Sequence, residues 1–242
     1  MPSRGPWQWC GASVRGRAHV ARGVANQDAW EVRASDRRIV AVVCDGLGSR
    51  PHARIGAQAG CRAAQTAAVA WCAQPDAPWE LYVRLLHAQW ALLVHPHVPD
   101  EAAATCVVAI ARPDRRTMLA QLGDGLAFVT RSDGRTEELE LSRDGFANQT
   151  TGLGIARSAQ EWRILELPPL RSGDALLMAT DGVADDLVPD RRAELVQHLR
   201  EACAMDGNLS SARLRRELVD WPVPHHTDDR TMILCSLKGD AA

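Results

Sequence analysis

Aspartates recur in this sequence at one kind of place, the end of an apolar run, mostly beside a glycine. The run 39–44 ends in Asp45-Gly46, and the run 118–122 in Gly123-Asp124-Gly125. The run 175–180 ends in Asp181-Gly182, with Asp185 and Asp186 following. Asp228-Asp229 precedes the run 231–235, and Asp28 stands in Asn26-Gln27-Asp28-Ala29-Trp30, just ahead of another strand. Any one Asp-Gly pair after a strand reads as a turn, and five unrelated turns are the competing reading. If the acids converge, they do chemistry. Carboxylates crowded at strand ends repel one another and lose solvation, so they need a compensating cation. Oxygen ligands with no Cys or paired-His pattern select Mg²⁺ or Mn²⁺ over zinc. Glycine beside the acid lets a backbone carbonyl or a bridging water come close. The pattern predicts a dinuclear hard-metal site for phosphate or a similar oxyanion.

Positioning these acids takes strands that end together. Runs 39–44, 118–122, 175–179 and 231–235 have strand character, with weaker candidates at 105–111 and 126–131. The run 126–131 and the run 118–122 before it read as a hairpin around Gly123-Asp124-Gly125, with Arg131-Ser132-Asp133-Gly134 as the next turn. Helical stretches are 53–73, with Ile55, Ala59, Ala63 and Thr66 on one face, then 79–94, 191–204 and 210–219. Strands in groups with helices between them predict an α+β layered arrangement rather than βαβ alternation. No repeat or long Ser/Gly linker divides the chain, so residues 1–242 read as a single domain.

The 28 basic and 30 acidic residues give a net charge of −2, without the basic excess of a nucleic-acid binder. Lys238 is the only lysine. At 46% hydrophobic and 24% charged, the composition is that of an ordinary globular protein. Apolar runs are too short and too often interrupted to span a membrane, and residues 1–7 lack the apolar core of a signal peptide. The seven cysteines form no Cys-x-x-Cys pair and lie mostly in apolar runs, as reduced core residues do. A cytoplasmic location is expected.

In order and context these segments resemble the metal-dependent, type 2C (PPM) serine/threonine protein phosphatases, most closely their compact bacterial branch. The matching pieces are Gly16-Arg17-Ala18-His19 through Gly23-Val24-Ala25-Asn26-Gln27-Asp28-Ala29, then Val43-Cys44-Asp45-Gly46-Leu47-Gly48-Ser49, Gln121-Leu122-Gly123-Asp124-Gly125, Met178-Ala179-Thr180-Asp181-Gly182-Val183 and Thr227-Asp228-Asp229-Arg230-Thr231-Met232-Ile233-Leu234. The resemblance implies a four-layer α/β/β/α sandwich, two antiparallel sheets flanked by helices, with a metal cleft at one end. It implies two Mn²⁺ or Mg²⁺ ions: Asp45 bridges them, the Gly46 carbonyl completes one shell, Asp181 and Asp228 hold one metal, and Asp28 acts on the other largely through coordinated water. Asp124 and Asp185 match the positions of a weaker third metal. A water or hydroxide bridging the first two metals then attacks phosphorus in line, with no covalent enzyme intermediate. The implied partners are a phosphorylated protein and an opposing serine/threonine kinase or its target, with neither nucleic acid nor membrane, and a monomeric state.

Three departures from the family pattern stand out. Gln27 replaces the common Glu before Asp28, keeping an acceptor oxygen but losing a charge. Leu47 stands where many members have a His proposed as general acid. Gly23 occupies the place of the phosphate-binding Arg, leaving Arg22, Arg17 and His19 as the nearest substitutes; a guanidinium suits phosphate as a bidentate fork. A catalytic phosphatase is therefore weighed against a pseudophosphatase that binds phosphoproteins without turnover, and against a hydrolase of small phosphate compounds. His225-His226 and His95-Pro96-His97 read as loops, and Trp71, Trp79 and Trp90 as helix-packing residues. Residues 144–158 look like the family's variable flap, a mobile Gly-rich loop with no Gly-Lys-Ser/Thr to make a nucleotide cradle.

Overall fold

The computed structural model describes residues 6–74, 76–139, 151–223 and 226–238. One antiparallel sheet has the order β1 (Trp7–Val14), β12 (Arg230–Leu237), β9 (Ala175–Ala179), β6 (Leu126–Thr130), β7 (Thr136–Glu138). The other has the order β2 (Asp28–Ser35), β3 (Arg38–Asp45), β4 (Cys106–Arg112), β5 (Arg115–Leu122), β8 (Arg163–Leu167). The helices are α1 (Arg17–Ala21), α2 (Ala53–Cys72), α3 (Trp79–Val94), α4 (Asp181–Ala184), α5 (Arg192–Cys203) and α6 (Ser211–Val219). A small pair, β10 (Ala204–Met205) and β11 (Asn208–Leu209), joins α5 to α6.

Alternation along β3 shows how the layers form. Val40, Val42 and Cys44 point into a core shared with α2 and α3, while Ile39, Ala41 and Val43 point into one shared with Met178 and Ile233 of the other sheet. Both faces are buried, so the strand reads in sequence as an unbroken apolar run. Leu177 and Leu234 face away from the inter-sheet layer and pack with Val196 and Leu199 of α5 and Leu214 and Leu218 of α6. Three apolar layers thus separate four structural layers, α/β/β/α. Each large aliphatic side chain buried in them stabilises the fold by about 1.5–3 kcal/mol.

The expected strands and helices stand within a few residues of their sequence positions, but three details differ. The segment 118–131 is not a hairpin. β5 already has β4 on one edge and β8 on the other, so the chain crosses at Gly123-Asp124-Gly125 into the opposite sheet, where β6 pairs with β9 and β7. In α2 the buried face is made of small residues, including Gly56, Ala59, Gly60 and Ala63, while Ile55 and Thr66 face solvent. Small residues let α3 approach closely, with the Trp90 indole N–H donating to Gly56 O at 3.0 Å. Of the expected flap, 144–150 lie outside the described residues. Leu153 is fully buried and exchanges backbone hydrogen bonds with Ala104, so this part is docked rather than free.

Candidate active site

Separate elements carry the acids to one end of the sandwich. β2 begins there and β3 ends there, and the antiparallel register makes Asp28 and Asp45 cross-strand partners. On the other sheet, β9 ends at Ala179 and the chain turns at Thr180, so Asp181 opens α4. Thr180 N–H donates to Thr231 O at 3.1 Å, which sets the start of β12, with Asp228 and Asp229 just before it, beside Asp181. Gly182 is required here by close approach: a Cβ on it would lie 1.8 Å from Asp229 O. Asp124 arrives on the crossing between the sheets.

Asp28 is anchored by hydroxyls of the other sheet. Thr231 and Thr180 hydroxyls donate to its Oδ2 at 2.6 and 2.9 Å. Behind them, Asn26 Nδ2 donates to Ser13 Oγ at 2.7 Å, and Ser13 Oγ lies 2.7 Å from Thr231 Oγ1. A carboxylate only accepts, so Thr231 spends its single proton on Asp28 and accepts from Ser13. Asp45 N–H donates to Thr105 Oγ1 at 3.0 Å, and Thr105 N–H returns a bond to Asp45 O at 2.7 Å. Gly46 follows, with its N–H on Gln27 O at 3.2 Å.

The carboxylates feel one another. Burial pushes Asp28 up to about 6, with hydrogen bonding to Asp45 first, then the Thr231 and Thr180 hydroxyls, pulling it back. Burial also raises Asp45 well above the usual carboxylate range, and the charges of Asp28, Asp181 and Asp228 add to it. Asp181 rises to about 7 through burial first, then through the charges of Asp124, Asp228 and Asp28. Partial burial raises Asp185, with Asp124 adding and His226 opposing. One electrostatic field therefore joins Asp28, Asp45, Asp181 and Asp228, and Asp124 links it to Asp185.

Such a cluster suits a hard divalent cation. Asp28 Oδ1 and Gln27 Oε1 are buried oxygens with no hydrogen-bond partner among the described residues. Unpaired buried acceptors among like charges are costly as they stand, and a cation satisfies both defects. The donor set is oxygen, which matches Mg²⁺ or Mn²⁺.

Asp229 is the residue that sequence reasoning passed over. It is 1% exposed, and its carboxylate accepts from Gly16 N–H at 2.7 Å and Gln27 N–H at 2.6 Å, with His19 Nδ1 at 2.9 Å. It ties the 16–27 segment, and so the approach to Asp28, to the start of β12. Ligand atoms of His19, Asp228 and Asp229 lie within 4.8 Å of one another. Asp228 is exposed, and the buried His19 points at Asp229. Adjacent acids of the same type give no signal in sequence as to which turns inward.

Of the other substitutes for the phosphate-binding Arg, Arg22 is exposed and donates from Nε to Ala18 O at 3.2 Å, while Arg17 is exposed with its charge felt by Arg230. Gly23 has φ +68, a left-handed conformation that disfavours an arginine at that position. Arg163, also passed over, donates from β8 to Gly123 O at 2.8 Å and feels the charge of Asp124. Leu47 N–H is held by Ala103 O at 3.0 Å, and its side chain carries no proton to donate. Outside the cluster, His226 and Trp221 both bind Asp186, at 3.0 and 2.8 Å; His225 lies outside the described residues. The His52 and His97 rings lie against each other, 3.9 Å between centroids.

A layered sandwich with carboxylates gathered at one end offers an oxygen-only donor set suited to divalent cations. A family model described as Protein phosphatase 2C matches residues 15–221, and the chain belongs to that family. With membership comes the activity class, metal-dependent hydrolysis of phosphoesters. No match to a curated protein was found. Among solved structures, RsbX in complex with magnesium has a TM-score of 0.63 at 17% identity, covering 96% of this chain and 96% of that one. The catalytic domain of the serine/threonine protein phosphatase PstP, with two manganese ions, has a TM-score of 0.59 at 17% identity, covering 96% and 99%. The phosphatase domain of SpoIIE from Bacillus subtilis has a TM-score of 0.56 at 12% identity, covering 99% and 96%. At these identities the shared property is the fold. Among the described residues, no helix is long and apolar enough to cross a membrane.

Proposed function

We propose that this protein is a Mn²⁺- or Mg²⁺-dependent phosphoprotein phosphatase acting on phosphoserine or phosphothreonine. The observation that carries the reading is the shared field of the buried Asp28 and Asp45 with Asp181 and Asp228. These four acids and the Gly46 carbonyl would hold two cations, and Asp124 with Asp185 would hold a weaker third. What such cations would supply is neutralisation of charge on the phosphoryl oxygens and an activated water for in-line attack on phosphorus. The chain's own part is positioning. Thr180 and Thr231 orient Asp28 and favour its ionised form, Thr105 fixes the backbone of Asp45, and Asp229 holds the segment leading to Asp28. Arg22 and Arg17 are the candidates for gripping the substrate phosphate, since His19 is committed to Asp229. The family's compact bacterial members suggest a cytoplasmic, monomeric enzyme opposing a serine/threonine kinase.

Hydrolysis of p-nitrophenyl phosphate and of a phosphothreonine peptide, with Mn²⁺, Mg²⁺ or chelator, tests this in wild type and Asp181→Asn. Mn²⁺-dependent release abolished by the substitution is expected. Equal rates in chelator, or full activity in Asp181→Asn, would sink it. The left-handed Gly23, with no arginine in its place, favours the second reading, a phosphoprotein-binding module; metal binding with no turnover on either substrate would select it.

A further inference from the structure

At the end of the sandwich opposite the acids lies a cavity of about 720 Å³. Two tight turns and the end of a helix flank it, and it is open to solvent. The β2–β3 turn supplies Asp36 and Arg37, with Arg38 opening β3; Arg112 closes β4, Asp114 lies in the β4–β5 turn and Arg115 opens β5, and α2 ends against both at Cys72. Register fixes its distance from the acids. Asp28 pairs with Asp45 at one end of β2 and β3, and Ser35 pairs with Arg38 at the other. At about 3.3 Å per residue the separation is about 20–25 Å.

Four guanidinium groups line this cavity with only two carboxylates. Burial raises the Cys72 thiol, while the charges of Arg112 and Arg38 pull it down, so both side chains bear on the same wall. Arg112 lies over the Trp71 ring, 5.5 Å from guanidinium carbon to centroid. Its Nε is buried without a hydrogen-bond partner among the described residues. Leaving a buried donor unpaired costs about 1–3 kcal/mol. Stacking fixes the plane of the guanidinium, and a planar fork suits an oxyanion. The C-terminal carbonyls of α2 carry partial negative charge, but that amounts to about half an elementary charge and does not call for four cations.

We propose that this cavity binds a small molecule bearing a diphosphate, with Arg38 and Arg112 as the gripping residues and Arg37 and Arg115 adding positive field at the rim. The volume exceeds what a single phosphate fills and lies within the range of small-molecule sites, about 300–1,000 Å³. Distance separates it from the acid cluster, so occupancy here does not block that cleft.

The test removes the cleft from the measurement. Metal is stripped by chelation, the chelator is removed by desalting, and inorganic pyrophosphate is titrated by calorimetry. Saturable one-site binding is expected, equal in wild type and Asp181→Asn and at least tenfold weaker in the Arg38→Gln/Arg112→Gln double variant. No saturable binding by wild type overturns the proposal, and so does unchanged affinity in the double variant. If that variant loses its cooperative unfolding transition, Arg37→Gln/Arg115→Gln replaces it, since both residues are exposed. A several-fold loss is expected there, and equal affinity overturns the proposal. ADP binding in competition with pyrophosphate supports an organic diphosphate as occupant. A phosphothreonine peptide that displaces pyrophosphate and binds more tightly overturns the small-molecule assignment.

Discussion

Thr231, on one sheet, donates its hydroxyl to Asp28 on the other at 2.6 Å. The bond joins the two halves of the sandwich at the acid cluster and favours the ionised form of a buried carboxylate. Thr231→Val keeps the shape and removes the donor. A hydrogen bond to a charged group contributes about 1.5–3 kcal/mol, so Mn²⁺ affinity is expected to fall about tenfold or more. Titrating activity with Mn²⁺ reads this directly. An unchanged midpoint would show that Thr180 alone suffices.

The metal-free protein is expected to lose stability as pH rises. Asp28 is raised from 3.8 to about 6, and Asp181 from 3.8 to about 7. Between these values the folded chain holds protons that the unfolded chain has released, so the slope of stability against pH is negative. The contribution of a protonated Asp28 is fully present below pH about 4 and is lost as pH passes about 6; at about 1.4 kcal/mol per pH unit it amounts to about 3 kcal/mol. Urea midpoints of stripped protein at pH 5 and pH 8 should therefore differ, and saturating Mn²⁺ should narrow the gap. Equal midpoints without metal would count against mutual repulsion among the acids.

Removing a charge from the cluster should separate stability from activity. Asp45→Asn leaves the cross-strand partner of Asp28 neutral, relieving repulsion that burial makes costly. The expected result is a higher thermal midpoint for the metal-free protein and loss of Mn²⁺-dependent hydrolysis. A lower midpoint would mean that Asp45 is held chiefly by its hydrogen bonds rather than strained by its neighbours.

Asp229 should behave in the opposite sense. Its truncation strands two backbone N–H groups and the buried His19, and each unpaired group costs about 1–3 kcal/mol. Asp229→Ala is expected to lower the urea midpoint by the equivalent of several kcal/mol, with Asp229→Asn intermediate because its oxygen still accepts. Chemical denaturation with and without metal checks this. Equal stability of all three proteins would remove Asp229 from its tethering role.

Much of this arrangement is legible in the sequence, and the gaps have physical reasons. The strand ending at Asp45 is plain because both its faces are buried and the apolar run is continuous. The turn at Gly123-Asp124-Gly125 is plain too, but a turn signal is local and the choice of partner strand is not. Only the filled edges of β5 send β6 to the other sheet. In α2 a large apolar residue, Ile55, suggests the wrong face, because contact with α3 selects small residues instead. The acids announce themselves through type and spacing, whereas Thr231, Thr180 and Asp229 act through contacts more than a hundred residues away in sequence.

The acids come in pairs, Asp28 and Asp45 from one sheet, Asp181 and Asp228 from the other. Among the described residues, no backbone ladder sets the gap between the pairs. The spacer is the greasy layer of Val43, Val107, Met178 and Ile233, which works like a gauge block between the jaws of a vice. Interiors are close-packed, so one methylene more or less in that layer moves the jaws. Mg²⁺ demands near-ideal octahedral geometry at about 2.0–2.1 Å and forgives little. On the function proposed above, side chains that never touch the cation would thus share in deciding which ion is preferred.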